Sequence, residues 1–166
     1  LYPWDWLLEN LLVFIYGTLL VTTYRWFKFS NLSYALFTLF LSLHLLGAHY
    51  TYAETPIGFW LQSAFDFERN HYDRIVHFSF GLLLAYPMCE ILLRQSGVSR
   101  SWSYFLAVNC IVAFSAIYEI LEAIAAMVVS PELGSAYLGT QGDEWDAQKD
   151  AALAFGGAIV VPFSVR

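Results

Sequence analysis

The 166 residues are 58% hydrophobic and only 13% charged, with a mean hydropathy of +0.53; a soluble domain carries about 25% charged residues. The net charge of −6 comes from acids gathered in a few segments, and no basic stripe points to a nucleic-acid partner. The solvent is therefore a bilayer, and the predicted class is an all-α polytopic transmembrane bundle, one domain over residues 1–166.

The chain begins Leu1-Tyr2-Pro3 without an initiator methionine or a basic leader, so it reads as a fragment lacking its natural start. Runs of about 20 apolar residues predict five spans, at about 6–24, 32–51, 74–93, 103–128 and 148–164. Glu9 and Asn10 interrupt the first near its start. Thr55-Pro56 opens a short amphipathic helix, about residues 56–68, expected to lie in the interface. Its Ile57, Phe59, Trp60, Leu61, Ala64 and Phe65 face lipid or protein, while Gln62, Asp66, Glu68 and Arg69 reach water. Pro131, Gly134, Gly139 and Gly142 mark 130–142 as a loop. Cys89 and Cys110 lie in apolar runs without metal-ligand spacing and read as small buried hydrophobes.

Lys and Arg collect on the cytoplasmic side of short loops. Arg25 and Lys28, Arg94 and Arg100, and Arg166 place the first and third connections and the C-terminus inside. Glu54, Asp66 and Glu68, then Glu132, Asp143 and Glu144, place the second and fourth connections outside, although Arg69 and Arg74 also lie there. The acidic side is therefore expected to face away from the cytoplasm.

With each helix given a direction, the ionisable residues fall at one depth. His49 sits at the outer end of the second span and His44 about 7.5 Å deeper by the helical rise. Asp73 and His77 open the third span at i,i+4. Glu119 and Glu122 are i,i+3 in the fourth, and Asp143, Asp146 and Asp150 step by three and four into the fifth. Charges inside a bilayer cost roughly 2.5–3.5 kcal/mol each on insertion scales, so a converging set predicts a site. Facing helices that turn carboxylates and histidines inward are how carboxylate-bridged di-metal bundles are built.

His49, Asp73, His77, Asp143, Asp146 and Asp150 are therefore the candidate metal ligands. Glu119 and Glu122 are ligands or general base, and Arg74 is an anion clamp. His44 and His49 are i,i+5 and point about 140° apart, so one face cannot hold both, and His44 is assigned a supporting place. Helix-dipole stabilisation explains Glu144 and part of Asp143; an ion pair with Arg74 is the rival explanation for Glu119 and Glu122. Imidazole and carboxylate without thiolate suit zinc first, with iron, manganese or magnesium as alternatives.

The stretches from His44 to Pro56, Asn70 to Phe78, Tyr118 to Glu122 and Gly139 to Asp150 together resemble the YjdF-like bacterial inner-membrane proteins, over essentially the whole chain. The resemblance implies a polytopic inner-membrane protein; that family's function is unknown. The order Asp-x-x-x-His-Phe, a glutamate pair and a spaced aspartate pair is more distantly similar to VanZ-like proteins. The expected activity is metal-dependent hydrolysis of a membrane lipid or envelope substrate. The alternatives are an ion or proton pathway through the same groups, or a non-catalytic scaffold with a structural metal. The sequence leaves substrate and oligomeric state open.

Overall fold

Apart from the Asp5 side chain, residues 3–161 are described by a computed structural model, and they form seven α-helices: α1 (Pro3–Thr23), α2 (Asn31–His49), α3 (Pro56–Phe65), α4 (Tyr72–Ile91), α5 (Arg100–Val128), α6 (Pro131–Leu138) and α7 (Asp146–Val160). Four described helices are long and apolar enough to cross a membrane: Trp6–Thr23, Asn31–His49, Tyr72–Ser96 and Arg100–Val128. The expected fifth span corresponds to α7, whose 15 residues extend about 22 Å, short of a hydrocarbon core about 30 Å thick. Residues 162–164 of that expected span, and Arg166, lie outside the described residues.

Local chemistry sets the helix starts. Ser30, Ser99 and Ser130 cap α2, α5 and α6, each Oγ accepting from the backbone N–H three residues on. Pro56 and Pro131 occupy first turns, where a missing N–H costs nothing. This corrects the expected loop at 130–142: its Ser-Pro opening starts α6, which runs until Gly139 turns the chain at φ 57°. α3 ends near its expected limit, at Asp66 with φ 54°, and leaves Ile57, Phe59, Trp60 and Phe65 exposed. Pro87 lies within α4, and the helix widens into a π-turn at Leu92–Ser96 before Gly97.

The most extensive helix contact is between α4 and α7. Small residues permit it: a Cβ on Gly81 would strike the carbonyl of Ala154, and one on Gly157 would strike that of Phe78. In lipid, where apolar side chains gain little by leaving the solvent, such backbone approach is a principal source of helix association. The same crossing carries Asp73 and His77 of α4 up to Asp146 and Asp150 of α7. α5 packs on both, while α1 rests on α2 and α6.

The two ends of the bundle are fastened differently. At one, buried Asn70 receives Tyr72 N–H on Oδ1 (3.0 Å), donates from Nδ2 to the Thr55 carbonyl (3.1 Å), and exchanges two backbone hydrogen bonds with the Gln141 amide (3.1 and 2.9 Å). Three connections are thereby tied over the α4–α7 crossing. At the other end, buried Glu90 accepts from Ser30 N–H (2.8 Å), Ser30 Oγ (2.9 Å), Ser33 Oγ (2.5 Å) and Arg94 (2.5 Å), binding the start of α2 to the end of α4.

Candidate metal centre

Asp73 and His77 project from the first two turns of α4, and Asp150 from the second turn of α7. One ligand atom from each lies within 4.8 Å of the others. Zinc at about 2.1 Å from its donors needs them about 3.4 Å apart, so a small side-chain adjustment closes the set. His77 Nε2 is 3.5 Å from Asp73 Oδ1 and 3.3 Å from Glu119 Oε1. Its Nδ1 is 3.4 Å from Ser115 Oγ. With the proton on Nδ1, the ring donates to Ser115 and turns a basic Nε2 toward the carboxylates, the arrangement in which a second partner orients a ligating histidine.

Asp150 is the least satisfied member. It is fully buried, and neither carboxylate oxygen accepts a hydrogen bond, although Arg74 NH1 lies 2.8 Å from Oδ1. Buried carboxylates normally find hydrogen-bond donors. Asp73 and Asp150, placed this close, need a cation or a shared proton between them.

A second layer of charge surrounds the group. Arg74 NH2 reaches Asp146 Oδ1 (2.6 Å) and Asp143 Oδ2 (2.9 Å), and Arg69 NH1 reaches Asp146 Oδ1 (2.7 Å). Arg69 also donates to the Thr140 carbonyl (2.8 Å), so it is drawn into the protein rather than reaching water as expected. Asp143 is further held by Lys149 Nζ at 2.6 Å and accepts from Trp145 N–H at 3.0 Å, and these hold its carboxyl below the ordinary range. Arg74 is thus engaged by three aspartates, not turned outward as an anion clamp, and it pairs with neither Glu119 nor Glu122. Asp143 lies in the turn before α7, so the face expected to hold Asp143, Asp146 and Asp150 is shared only by the last two; Asp143 Oδ2 and Asp146 Oδ1 are engaged by these cations rather than by Asp73 and His77.

His49 is not brought to the cluster. It is exposed at the end of α2, edge-on to Tyr50 with ring centroids 4.7 Å apart. The inward face of α2 belongs to His44, which is buried. Its Nε2 is 3.0 Å from the Glu9 carbonyl and its Nδ1 meets the Tyr52 hydroxyl. A carbonyl only accepts, so the ring carries its proton on Nε2 and Nδ1 accepts from Tyr52, whose hydroxyl burial pushes well above its ordinary pKa. The spacing rightly left room for only one of the two histidines on the inward face, but the expected choice of His49 is corrected to His44.

Beside the cluster lies a cavity of about 430 Å³. Asp73, His77, Ser115, Glu119 and Asp146 line its polar part, together with Glu9, Tyr118 and Glu122, while α1 and α5 supply apolar walls. Tyr118 donates to Glu9 Oε2 at 3.2 Å. Ser115, Tyr118, Arg69 and Glu9 were not singled out as site residues by sequence. Glu9 had a usable signal, an acid inside an apolar span.

Residues 2–165 match the family described as predicted membrane protein DUF2238. The chain is 39% identical over 155 residues to the inner membrane protein YjdF of Escherichia coli (strain K12), an alignment covering 93% of this chain and 74% of that protein. No solved structure matches it.

Proposed function

The chain belongs to the DUF2238 family of membrane proteins, and from that premise we propose that it is an inner-membrane, metal-dependent hydrolase acting on a lipid or envelope substrate. The observation that carries the reading is the buried Asp150 carboxylate, without a hydrogen bond on either oxygen, in ligand range of Asp73 and His77. Two carboxylates and one imidazole leave a coordination position open, as catalytic zinc sites do, and match zinc better than softer metals. The adjoining cavity, apolar along most of its wall, suits a substrate that arrives from the bilayer.

When bound, the metal would make a bound water acidic enough to yield hydroxide near neutral pH. The chain's own groups do the rest. Glu119, 3.3 Å from His77 Nε2, is placed to take the water's proton and return it to the leaving group, so that water adds across the cleaved bond. Ser115 fixes the imidazole. Arg74 and Arg69 neutralise Asp143 and Asp146 and hold the start of α7 in place; they are positioning residues. Arg25, Lys28, Arg94 and Arg100 gather at the opposite end, which favours the periplasmic face for this one. An ion pathway is the less supported reading, because Glu90, the buried acid at the opposite end, has its donors supplied by Ser30, Ser33 and Arg94.

Metal analysis of protein purified in detergent tests the centre. Wild type is expected to hold about one equivalent of zinc or another transition metal, and Asp73→Ala and Asp150→Ala less than about a tenth of that, because each removes one of three ligands. Metal-free wild type after zinc reconstitution would sink the proposal. Turnover of lipid-linked substrates against flux in proteoliposomes then separates hydrolysis from transport.

A further inference from the structure

The chamber beside the metal centre is walled on most sides and open on one. α2 and α4 stand behind it and give it Phe40, His44, Val76 and Phe80, while α6 covers one end with Tyr137 and Leu138. α6 sits tightly there: a Cβ on Gly134 would meet the Ala126 carbonyl of α5 at 2.7 Å, and the same helix packs on α1. The remaining side belongs to α1 and α5. α1 packs on α2 and α6, and α5 on α4, α6 and α7, with no comparable packing of α1 on α5 among the described residues. The two helices face each other across the chamber, where Tyr118 of α5 donates to Glu9 Oε2 of α1.

Exposure shows where that side leads. Leu11 and Ile15 of α1 and Phe114, Ile117 and Leu121 of α5 line the chamber, yet each is between 44% and 64% exposed. Side chains that border the interior and the outer surface at once mark an aperture. Both rims belong to stretches long and apolar enough to cross a membrane, Trp6–Thr23 and Arg100–Val128, so hydrocarbon and not water lies outside it. A lipid chain passes from that surrounding to an apolar wall at little cost, because the two environments are alike. The cavity, about 430 Å³, falls low in the range of about 300–1,000 Å³ typical of small-molecule sites. That is room for one hydrocarbon chain and its terminus, not for a whole two-chain lipid. Asp73, His77 and Glu119 border the same space.

We infer that the substrate of this centre is a membrane lipid that enters sideways, one hydrocarbon chain passing between α1 and α5, with the bond to be cleaved at the polar terminus of that chain. The route rests on the shape of the chamber, and the cleavage rests on the hydrolase reading above. The chain passes Leu11, Ile15, Phe114 and Ile117 and bears on Phe40 and Val76 at the back, while its first polar group meets Asp73, His77 and Glu119. Water supplies a hydroxyl to one side of the broken bond and a proton to the other, so no further reactant is needed.

Palmitic acid carrying a mid-chain diazirine, mixed into proteoliposomes of the full-length protein, tests the route when peptide mass spectrometry reads where it inserts. Boundary lipid labels exposed side chains such as Ile120 and Ile124 of α5, which lie outside the chamber, but does not touch buried Phe40 and Val76. Adducts on Phe40 or Val76 are therefore expected in wild type. Ile15→Trp, which fills the aperture, should reduce them at least about tenfold, about 1.4 kcal/mol against entry, and leave those on Ile120 and Ile124 unchanged. Ile117→Trp on the facing rim is the second variant if the first does not fold. Adducts confined to outer residues, or inner adducts undiminished in both variants, would overturn the inference. Metal content read on the same samples keeps the two ideas apart. Bound metal without inner adducts removes only this inference, whereas inner adducts in a protein that never holds metal remove the hydrolase and leave a lipid-chain chamber.

Discussion

Glu90 and Asp150 are both buried acids beside an arginine, at opposite ends of the same bundle, and their surroundings differ in one respect. Glu90 has both oxygens filled by two serines, a backbone N–H and Arg94. Asp150 has Arg74 near one oxygen and a hydrogen bond on neither. Desolvating a carboxylate costs several kcal/mol whatever its purpose, and only the donors around it reveal what offsets that cost. At Glu90 the offset is internal, and the acid serves as a clamp between α2 and α4. At Asp150 it is incomplete, and the shortfall is what a bound cation would supply.

The comparison can be broken by removing each arginine-linked group in turn. Arg74→Ala is expected to have the largest effect, a loss of about 3–5 kcal/mol in unfolding from mixed micelles, since it strips the shared partner from Asp143, Asp146 and Asp150. A loss under about 1 kcal/mol would mean that Arg69 and Lys149 already suffice. Glu90→Ala should cost about 2–3 kcal/mol, for charge-assisted hydrogen bonds lost at the start of α2, while leaving bound metal as in wild type. Any effect of Glu90→Ala on metal content would erase the distinction between the ends.

Asp143→Asn should have the smallest effect, and one that depends on pH. Lys149 and the Trp145 N–H depress the Asp143 carboxyl, so its contribution to stability is present above the ordinary carboxylate value, about 4, and is lost as pH falls through the lower folded value. Melting temperatures measured between pH 3 and pH 6 should therefore fall less steeply on the acid side for the asparagine variant. Parallel curves would show that Asp143 is dispensable to the arginine network.

Several individual positions mark the limit of what periodicity can reveal. Asp73 and His77 were legible because an acid and an imidazole one turn apart in an apolar helix have few structural reasons to be there. His49 was chosen over His44 as the inward histidine, and the structure reverses that choice, since it depended on which face of α2 met Tyr52 and the Glu9 carbonyl. Arg69 was assigned to water because it follows an exposed amphipathic helix, and its reach to Asp146 depends on the fold of the 139–146 segment. The loop assigned to 130–142 failed for a local reason, the weight given to glycines over a Ser-Pro helix start.

The sequence by itself determined that this is a polytopic helical membrane protein, and it put the candidate site's acids and histidines at one end. Hydrophobic run length and loop charge are properties of local stretches and need no knowledge of neighbours. Tertiary structure alone decided which of those groups meet. Gly81, Gly157 and Ala154 let α4 and α7 approach until Asp73, His77 and Asp150 share one space, while Arg69 and Arg74 took Asp143 and Asp146 aside. Helical spacing fixes the face on which a side chain lies; backbone approach between helices fixes what stands opposite it.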